Sequence, residues 1–445
     1  MSHRLRWHYC CLFITSMNST YLKRLALAAV MMTTMAIGTA ALPPAPTDSL
    51  PARNKVKVSL VTFYPGDEVF SIYGHTELRV VTGMTDSYFN YGVFDFRTPN
   101  FVARFVAGET DYMCSAYPQR LATVGMEGRR MIEQDLNLTP RQARRIQEFL
   151  FDNAIPGNNT YRYKFLSDNC STRPRDIIEM ALGSELHYNG HGENVTYRDI
   201  LSRYTKNYAW DKFGIDLALG SALDTIVDYR QQMFIPMVLM QAVDSATVVR
   251  DGIAMPLVSE RRVMVDGDEA GTVLPPTPWY LTPLCAAIVL LVVTLAMAWR
   301  DWRRQSVTRW YHSLVATLYA IGGCFIFFLI FISTHEATSP NWNALWLNPL
   351  YFIPAVLVWR RHSRVLRIYH IANAAVLIAT MVLWPVIPQV ANTAFFPLMM
   401  VPVVMAASYL AIERKSAKNQ PVSSKPSGKP DSKSNGKPKS KKRNK

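Results

Sequence analysis

Between Trp279 and Ile412 the chain is a succession of apolar runs joined by short loops of unequal charge, and no other feature limits its fold as severely. Backbone in lipid must satisfy its own hydrogen bonds, so runs of this kind are read as spanning helices. Five are predicted, over 280–298, 311–332, 347–359, 368–386 and 394–412. A crossing takes about 20 residues, and the third run is shorter than that. Arg300, Arg303, Arg304 and Arg309 follow the first run; Arg360, Arg361, Arg364 and Arg367 follow the third. The loops after the second and fourth runs carry no Lys or Arg. The positive-inside rule therefore puts the first and third loops in the cytoplasm and residue 275 outside it. Trp279, Tyr280, Trp299, Trp302, Trp310 and Tyr311 stand at run ends, where interfacial aromatics belong.

The N-terminus points the same way. Lys23-Arg24, an apolar run from Leu25 to Ile37 and the small residues Gly38-Thr39-Ala40-Ala41 read as a signal sequence, cleaved after Ala40 or Ala41 or kept as an anchor. Met1 and Met17 are alternative starts. The chain thus divides into an extension with signal (1–41), an extracytoplasmic globular domain (42–275), a five-helix membrane domain (276–413) and a basic cytoplasmic tail (414–445). The tail is built of Lys, Ser, Pro, Gly and Asn without apolar periodicity, so disorder is expected there. The net charge of +15 comes largely from this tail and the Arg-rich loops. Topology and anionic lipid account for that charge, so the membrane and not nucleic acid is the expected partner.

Within 42–275 strands are predicted at Lys55–Phe63, Leu78–Thr82 and Tyr88–Phe96, with an extended segment at Tyr161–Leu166. Thr139, Pro140 and Gln142 form a capping box that opens a helix ending near Asn153. Helical patterns cover Tyr197–Tyr204 and Leu217–Met240, and Val248–Val273 reads as a small β-element. The class is α+β.

The chemistry is placed at Ser167-Asp168-Asn169-Cys170-Ser171-Thr172-Arg173-Pro174-Arg175. Asp176–Leu182 reads as a short amphipathic helix, with Pro174 suited to its first turn and Gly183 to its stop. Cys170 then sits at a helix N-terminus flanked by Arg173 and Arg175, where dipole and guanidinium charge favour thiolate. Its base is His75, near the start of the strand in Tyr73-Gly74-His75-Thr76-Glu77-Leu78-Arg79. A His-then-Cys order on strand and helix is a circularly permuted papain-like (NlpC-like) arrangement. The competing reading makes Cys170 half of a disulfide with Cys114, the other cysteine of this domain. No CxxC or Cys/His cluster with metal spacing is present, so neither a metal nor another cofactor is expected. The external segment His335-Glu336-Ala337-Thr338-Ser339-Pro340-Asn341-Trp342-Asn343-Ala344-Leu345-Trp346 reads as an interfacial loop anchored by Trp342 and Trp346, or as a rim holding lipid near Cys170.

Several stretches together resemble the Bacteroidetes-type lipoprotein N-acyltransferases, which join an Lnb-type periplasmic domain to a five-helix membrane domain. They are Tyr73-Gly74-His75-Thr76, Asn90-Tyr91-Gly92-Val93-Phe94-Asp95-Phe96, Thr98-Pro99-Asn100-Phe101 and Asp168-Asn169-Cys170-Ser171-Thr172-Arg173. Gly214-Ile215-Asp216-Leu217, Met233-Phe234-Ile235-Pro236, Asn341-Trp342-Asn343 and Trp346-Leu347-Asn348-Pro349 complete the set. The resemblance implies a multi-pass protein of a bacterial inner membrane. It implies transfer of an acyl chain from a phospholipid, through a Cys170 thioester, to the α-amino group of a diacylated lipoprotein. Cys170 is the implied nucleophile and His75 the base. Asn90 is the candidate third residue, with Asp168 in reserve. Arg173, Arg175, His335, Asn341 and Trp342 are the substrate-binding candidates. Three alternatives stay open: a Cys–His cell-wall amidase or peptidase, a phospholipid hydrolase, and a non-catalytic membrane assembly module.

Overall fold

The computed structural model describes residues 55–68, 71–83, 85–94, 98–118, 129–268, 274–360 and 363–418. The signal sequence and residues 419–445 of the basic tail lie outside the described residues. Six strands open the globular domain: β1 (Lys57–Phe63), β2 (His75–Thr82), β3 (Thr85–Val93), β4 (Asp111–Pro118), β5 (Met131–Leu136) and β6 (Thr160–Arg162). Three more, β7 (Leu186–His187), β8 (Thr247–Arg250) and β9 (Ile253–Pro256), pair as a small separate sheet. β10 (Val258–Val265) returns to the main sheet, whose order is β10-β5-β1-β2-β3-β4-β6, antiparallel throughout. The segment predicted as one β-element after Val248 is therefore split between two sheets.

Alternation explains the two faces of the main sheet. Val58, Leu60, Leu78, Val80 and Phe89 point to one side and pack on three helices. These are α2 (Pro140–Asn153), α3 (Thr172–Leu182) and α6 (Pro236–Ser245), which contribute Ile146 and Leu150, Ile177 and Ile178, and Leu239 and Val243. Each buried Leu or Ile is worth about 1.5–3 kcal/mol. The short helix α1 (Phe101–Ala107) lies between β3 and β4, and α4 (Tyr197–Thr205) and α5 (Ala209–Ala218) precede α6. The capping box at Thr139 and Gln142 forms as expected, and α2 stops at Asn153. The predicted helix over Leu217–Met240 does not form as one piece. The chain breaks after Ala218 into a 3-10 turn (Ser221–Asp224) and a single helical turn (Tyr229–Gln232). A longer helix begins only at Pro236, whose missing N–H suits a first turn and interrupts a helix interior. The opposite sheet face carries Val61, Phe63, Tyr88 and Met131, beside the buried carboxylates of Glu77 and Glu133.

Four helices in the second half are long and apolar enough to cross a membrane. They are α7 (Pro283–Arg304), α8 (Arg309–Phe331), α10 (Arg364–Leu383) and α11 (Phe395–Lys418). The third predicted span is different: Pro349–Tyr351 is a 3-10 turn leading into α9 (Phe352–Leu357). Those helical residues cover about 14 Å, half of a hydrocarbon core. The rest of this segment is a 3-10 turn (Trp342–Leu345) and non-regular backbone packed along α8. Asn348 lies against Gly323, Tyr351 against Tyr319 at 5.2 Å between ring centroids, and the Ala355 carbonyl accepts the Ser313 hydroxyl at 2.7 Å. A β-carbon on Gly323 would fall 2.1 Å from the Asn348 carbonyl carbon, so only glycine admits the approach. Irregular backbone at this depth survives because protein covers it.

The globular domain is joined to this half by capped helix ends. α5 ends on Asn341 and Asn343, whose side-chain amides donate to the Asp216, Leu217 and Ala218 carbonyls. Phe213 of α5 meets Phe395 of α11 at 5.6 Å between ring centroids. Trp346 is fully buried and donates its indole N–H to Asn343. It is a core residue, and Trp342 alone of the predicted pair keeps an exposed ring.

Candidate active site

Strand register assembles the first part of the site. His75 and Glu77 alternate on β2, so both point to one face, and Asn90 of β3 pairs directly across from Glu77. His75 Nε2 lies 3.0 Å from Asn90 Oδ1 and 3.5 Å from Glu77 Oε1. Asn90 Oδ1 also accepts the Gly92 N–H at 2.7 Å, which fixes the amide so that its oxygen faces the imidazole. Gly92 has to be glycine: a β-carbon there would sit 2.8 Å from His75 Cε1. Glu77 is completely buried, and Tyr117 donates its phenol to it.

The second part comes from α3. Its N-cap is Ser171, so Cys170 is the residue just before the helix, half-buried and unbridged. Cys170 stands close enough to the His75 ring to act on its charge. With Nε2 turned to Asn90 and Glu77, Nδ1 is the nitrogen left for the sulfur. Burial alone would lower the His75 pKa. The negative charge of Cys170 and its hydrogen bond outweigh that, with Glu77 adding to them, and the ring is pushed up to about 10. The His75 ring therefore favours its charged, imidazolium form.

The nucleophile loop is held by Asn169, which is buried and uses all of its side-chain capacity. Nδ2 donates to the Phe165 and Phe234 carbonyls at 2.8 and 2.9 Å. Oδ1 accepts the Ser171 and Thr172 N–H groups at 2.7 and 2.9 Å. Ser171 adds a bond from its hydroxyl to the Met233 carbonyl. The Ser171 N–H is thus unavailable for an oxyanion. Among the described residues, the Cys170 N–H is the adjacent donor without an internal partner.

The remaining sequence candidates have other neighbours. Asp168 forms a bidentate pair with Arg173, 2.8 Å for Nη2 to Oδ2, and Arg173 stacks on the Tyr161 ring at 3.8 Å. Arg175 is buried and bonds Asp176 and the Arg230 carbonyl, bracing α3. His335 meets the Phe105 carbonyl at 2.8 Å, Asn341 caps α5, and the Trp342 N–H donates to Gln389. Within that external loop it is Glu336 that reaches the nucleophile loop. Its carboxylate accepts the Leu166 and Ser167 N–H groups at 2.9 and 3.0 Å and the Ser167 hydroxyl at 2.7 Å. Cys114 is buried beside Tyr91 and is also unbridged; burial pushes its thiol up to about 11. The disulfide with Cys170 does not form.

Sequence reasoning passed over Glu77, Asn169 and Glu336. The spacing of His75 and Glu77 was the available signal for the first. No local pattern marks the other two, whose partners lie as far as 65 and 170 residues away. Among the described residues no His, Cys, Asp and Glu group is arranged to hold a metal ion.

Residues 46–203 match the profile of the Lnb N-terminal periplasmic domain, and residues 276–417 match that of the Lnb transmembrane domain. No curated protein and no solved structure matches the chain.

Proposed function

We propose, on the premise that this chain belongs to the Lnb family in both its periplasmic and its transmembrane domain, that it is a lipoprotein N-acyltransferase working through Cys170. The observation that carries this reading is a half-buried Cys170–His75–Asn90 array in a domain that is hydrogen-bonded to the membrane half at Glu336, Asn341 and Asn343. Cys170 Sγ attacks a phospholipid ester carbonyl and the lipid C–O bond breaks. The His75 imidazolium protonates the departing lysophospholipid, leaving a thioester on Cys170. The α-amino group of a diacylated lipoprotein then attacks that thioester, His75 takes the amine proton, and the C–S bond breaks. Two-step transfer suits a poor acyl donor and a weakly nucleophilic amine. The Cys170 N–H points to the oxyanion of both steps, and Asn90 keeps the imidazole oriented.

Wild-type protein given phospholipid alone is expected to gain one acyl chain on Cys170, read by intact mass. A diacylated lipopeptide with a free N-terminal amine should discharge it and gain that mass. An amine-blocked lipopeptide that discharges it equally, or an adduct that decays only to free fatty acid, would sink the assignment in favour of a lipid hydrolase.

The same reading places the catalytic domain in the periplasm and the tail in the cytoplasm, supported by the Arg content of alternate loops. A reporter inserted after Arg304 should behave as cytoplasmic and one inserted near Ser339 as periplasmic. The reverse pattern at both would overturn it.

A further inference from the structure

Helix α1 stands on the outer end of a membrane span. The Ser333 hydroxyl donates to the Val106 carbonyl at 3.0 Å, and the Thr334 N–H donates to the Ala107 carbonyl at 2.8 Å. These bonds fix the C-terminal end of α1 just beyond Phe331, where α8 ends. Between the two elements lies an open cleft of about 880 Å³. Thr98, Phe101, Val102 and Val106 form one wall, and Phe325 and Phe328 of α8 form the other. Phe325 is six residues from the end of α8, about 9 Å into the span. The volume is in the range of small-ligand sites. One wall is membrane-spanning helix, so what fills the cleft from that side is lipid.

The cleft is joined to the nucleophile by a ladder of aromatic rings. Phe101 stacks on Phe94 at 5.6 Å between ring centroids, Phe94 meets Tyr112 at 5.0 Å, and Tyr112 stacks on Tyr163 at 4.2 Å. Tyr112 and Tyr163 are close enough to Cys170 to feel its charge. A run of aromatic rings thus leads from the cleft toward Cys170. On α1, Val102 of the cleft wall is 73% exposed and Phe105 45%, apolar surface suited to contact with lipid.

We propose that this cleft is the acyl-chain subsite: it takes one fatty-acyl chain of a bilayer phospholipid, with the ester of that chain delivered along the aromatic ladder to Cys170. This rests on the acyl-transfer reading and adds to it where the chain lies. The length of chain that fits is then set by the far end of the cleft, and bulk placed in it shortens what is accepted.

Two experiments on the full-length protein test it. In the first, the Cys170→Ala variant in phospholipid bilayers is irradiated with a phospholipid bearing a diazirine at the end of one acyl chain. Label is expected in the peptides containing residues 98–106 and 325–328, and unlabelled phospholipid should compete it away. Label spread equally over the other membrane helices would overturn the proposal. In the second, Ala103→Trp adds bulk at an exposed position lining the cleft, without touching the core. Acylation of Cys170 by a sixteen-carbon donor should fall about tenfold or more relative to an eight-carbon donor, compared with wild type. An unchanged ratio would also overturn it. Should wild type form no adduct with any donor, the acyl-transfer reading fails by itself, while the photolabel still reports whether the cleft holds a chain.

Discussion

His75→Ala is expected to slow formation of the Cys170 acyl adduct by about 10²–10⁴-fold, the range that a positioned base or acid supplies. Cys170→Ser should abolish the thioester mass. The reason is position: the imidazole is the ring on which the Cys170 charge acts, and its Nε2 is held 3.0 Å from Asn90 Oδ1. A pH signature accompanies the rate. The His75 pKa is raised above its ordinary value to about 10, chiefly because the Cys170 charge and hydrogen bond overcome the effect of burial. A raised pKa means that the stabilisation from the charged ring is fully present below about 6.5 and is lost as pH rises through about 10. Thermal unfolding of wild type minus His75→Ala should therefore show its largest gap below about pH 6.5, a gap that shrinks as pH rises and is gone above about pH 10. Iodoacetamide alkylation of Cys170 should follow the same ring. A His75→Ala protein that acylates and alkylates at the wild-type rate would mean that the base is some other residue.

Asn169→Ala is expected to cost about 3 kcal/mol or more, since it strands two carbonyls and two N–H groups in a buried site, each worth about 1–3 kcal/mol when unsatisfied. The carbonyls are those of Phe165 and Phe234, and the N–H groups those of Ser171 and Thr172. Because the bonds lie on both sides of Cys170, the loss should reach the chemistry too. Cys170 alkylation is expected to fall along with the melting temperature. Asn169→Asp keeps the acceptor for the two N–H groups but sets a carboxylate oxygen against two carbonyl oxygens, so it should be no milder than Ala. Denaturant melts of the three proteins provide the check. If Asn169→Ala lies within about 0.5 kcal/mol of wild type, as a surface change would, the loop is held by something else.

The two predictions differ in how far their residues could be read in advance. Cys170 stands out because a cysteine among polar residues leads into a capped amphipathic helix, and His75 because it begins a β-branched strand. Both signals are local. The Asn90 contact is not, since it depends on which residue of β3 falls opposite Glu77, and a slip of one residue in register would turn Asn90 to the other face. Asp168, a sequence candidate for the same place, lies two residues from Cys170, yet its carboxylate is taken by Arg173. Proximity in sequence misled there because a carboxylate and a guanidinium five residues apart pair more readily than a carboxylate reaches a distant strand.

The membrane half divides in the same way. Apolar run length and the placement of Arg residues were enough for four crossings, because in lipid the backbone has one local way to satisfy itself. The third run fails that rule. Its backbone is covered instead by α8, and Gly323 is the residue that lets Asn348 come close enough. Four of the five predicted spans and the capping box at Thr139 were thus determined by the sequence alone, since each rests on bonds made within a few residues. The Cys170–His75–Asn90 array, the Asn169 hub, the Glu336 link and the broken helix of the third run were decided by tertiary structure. Each depends on a contact between segments remote in the chain, and local periodicity carries no information about which segments those are.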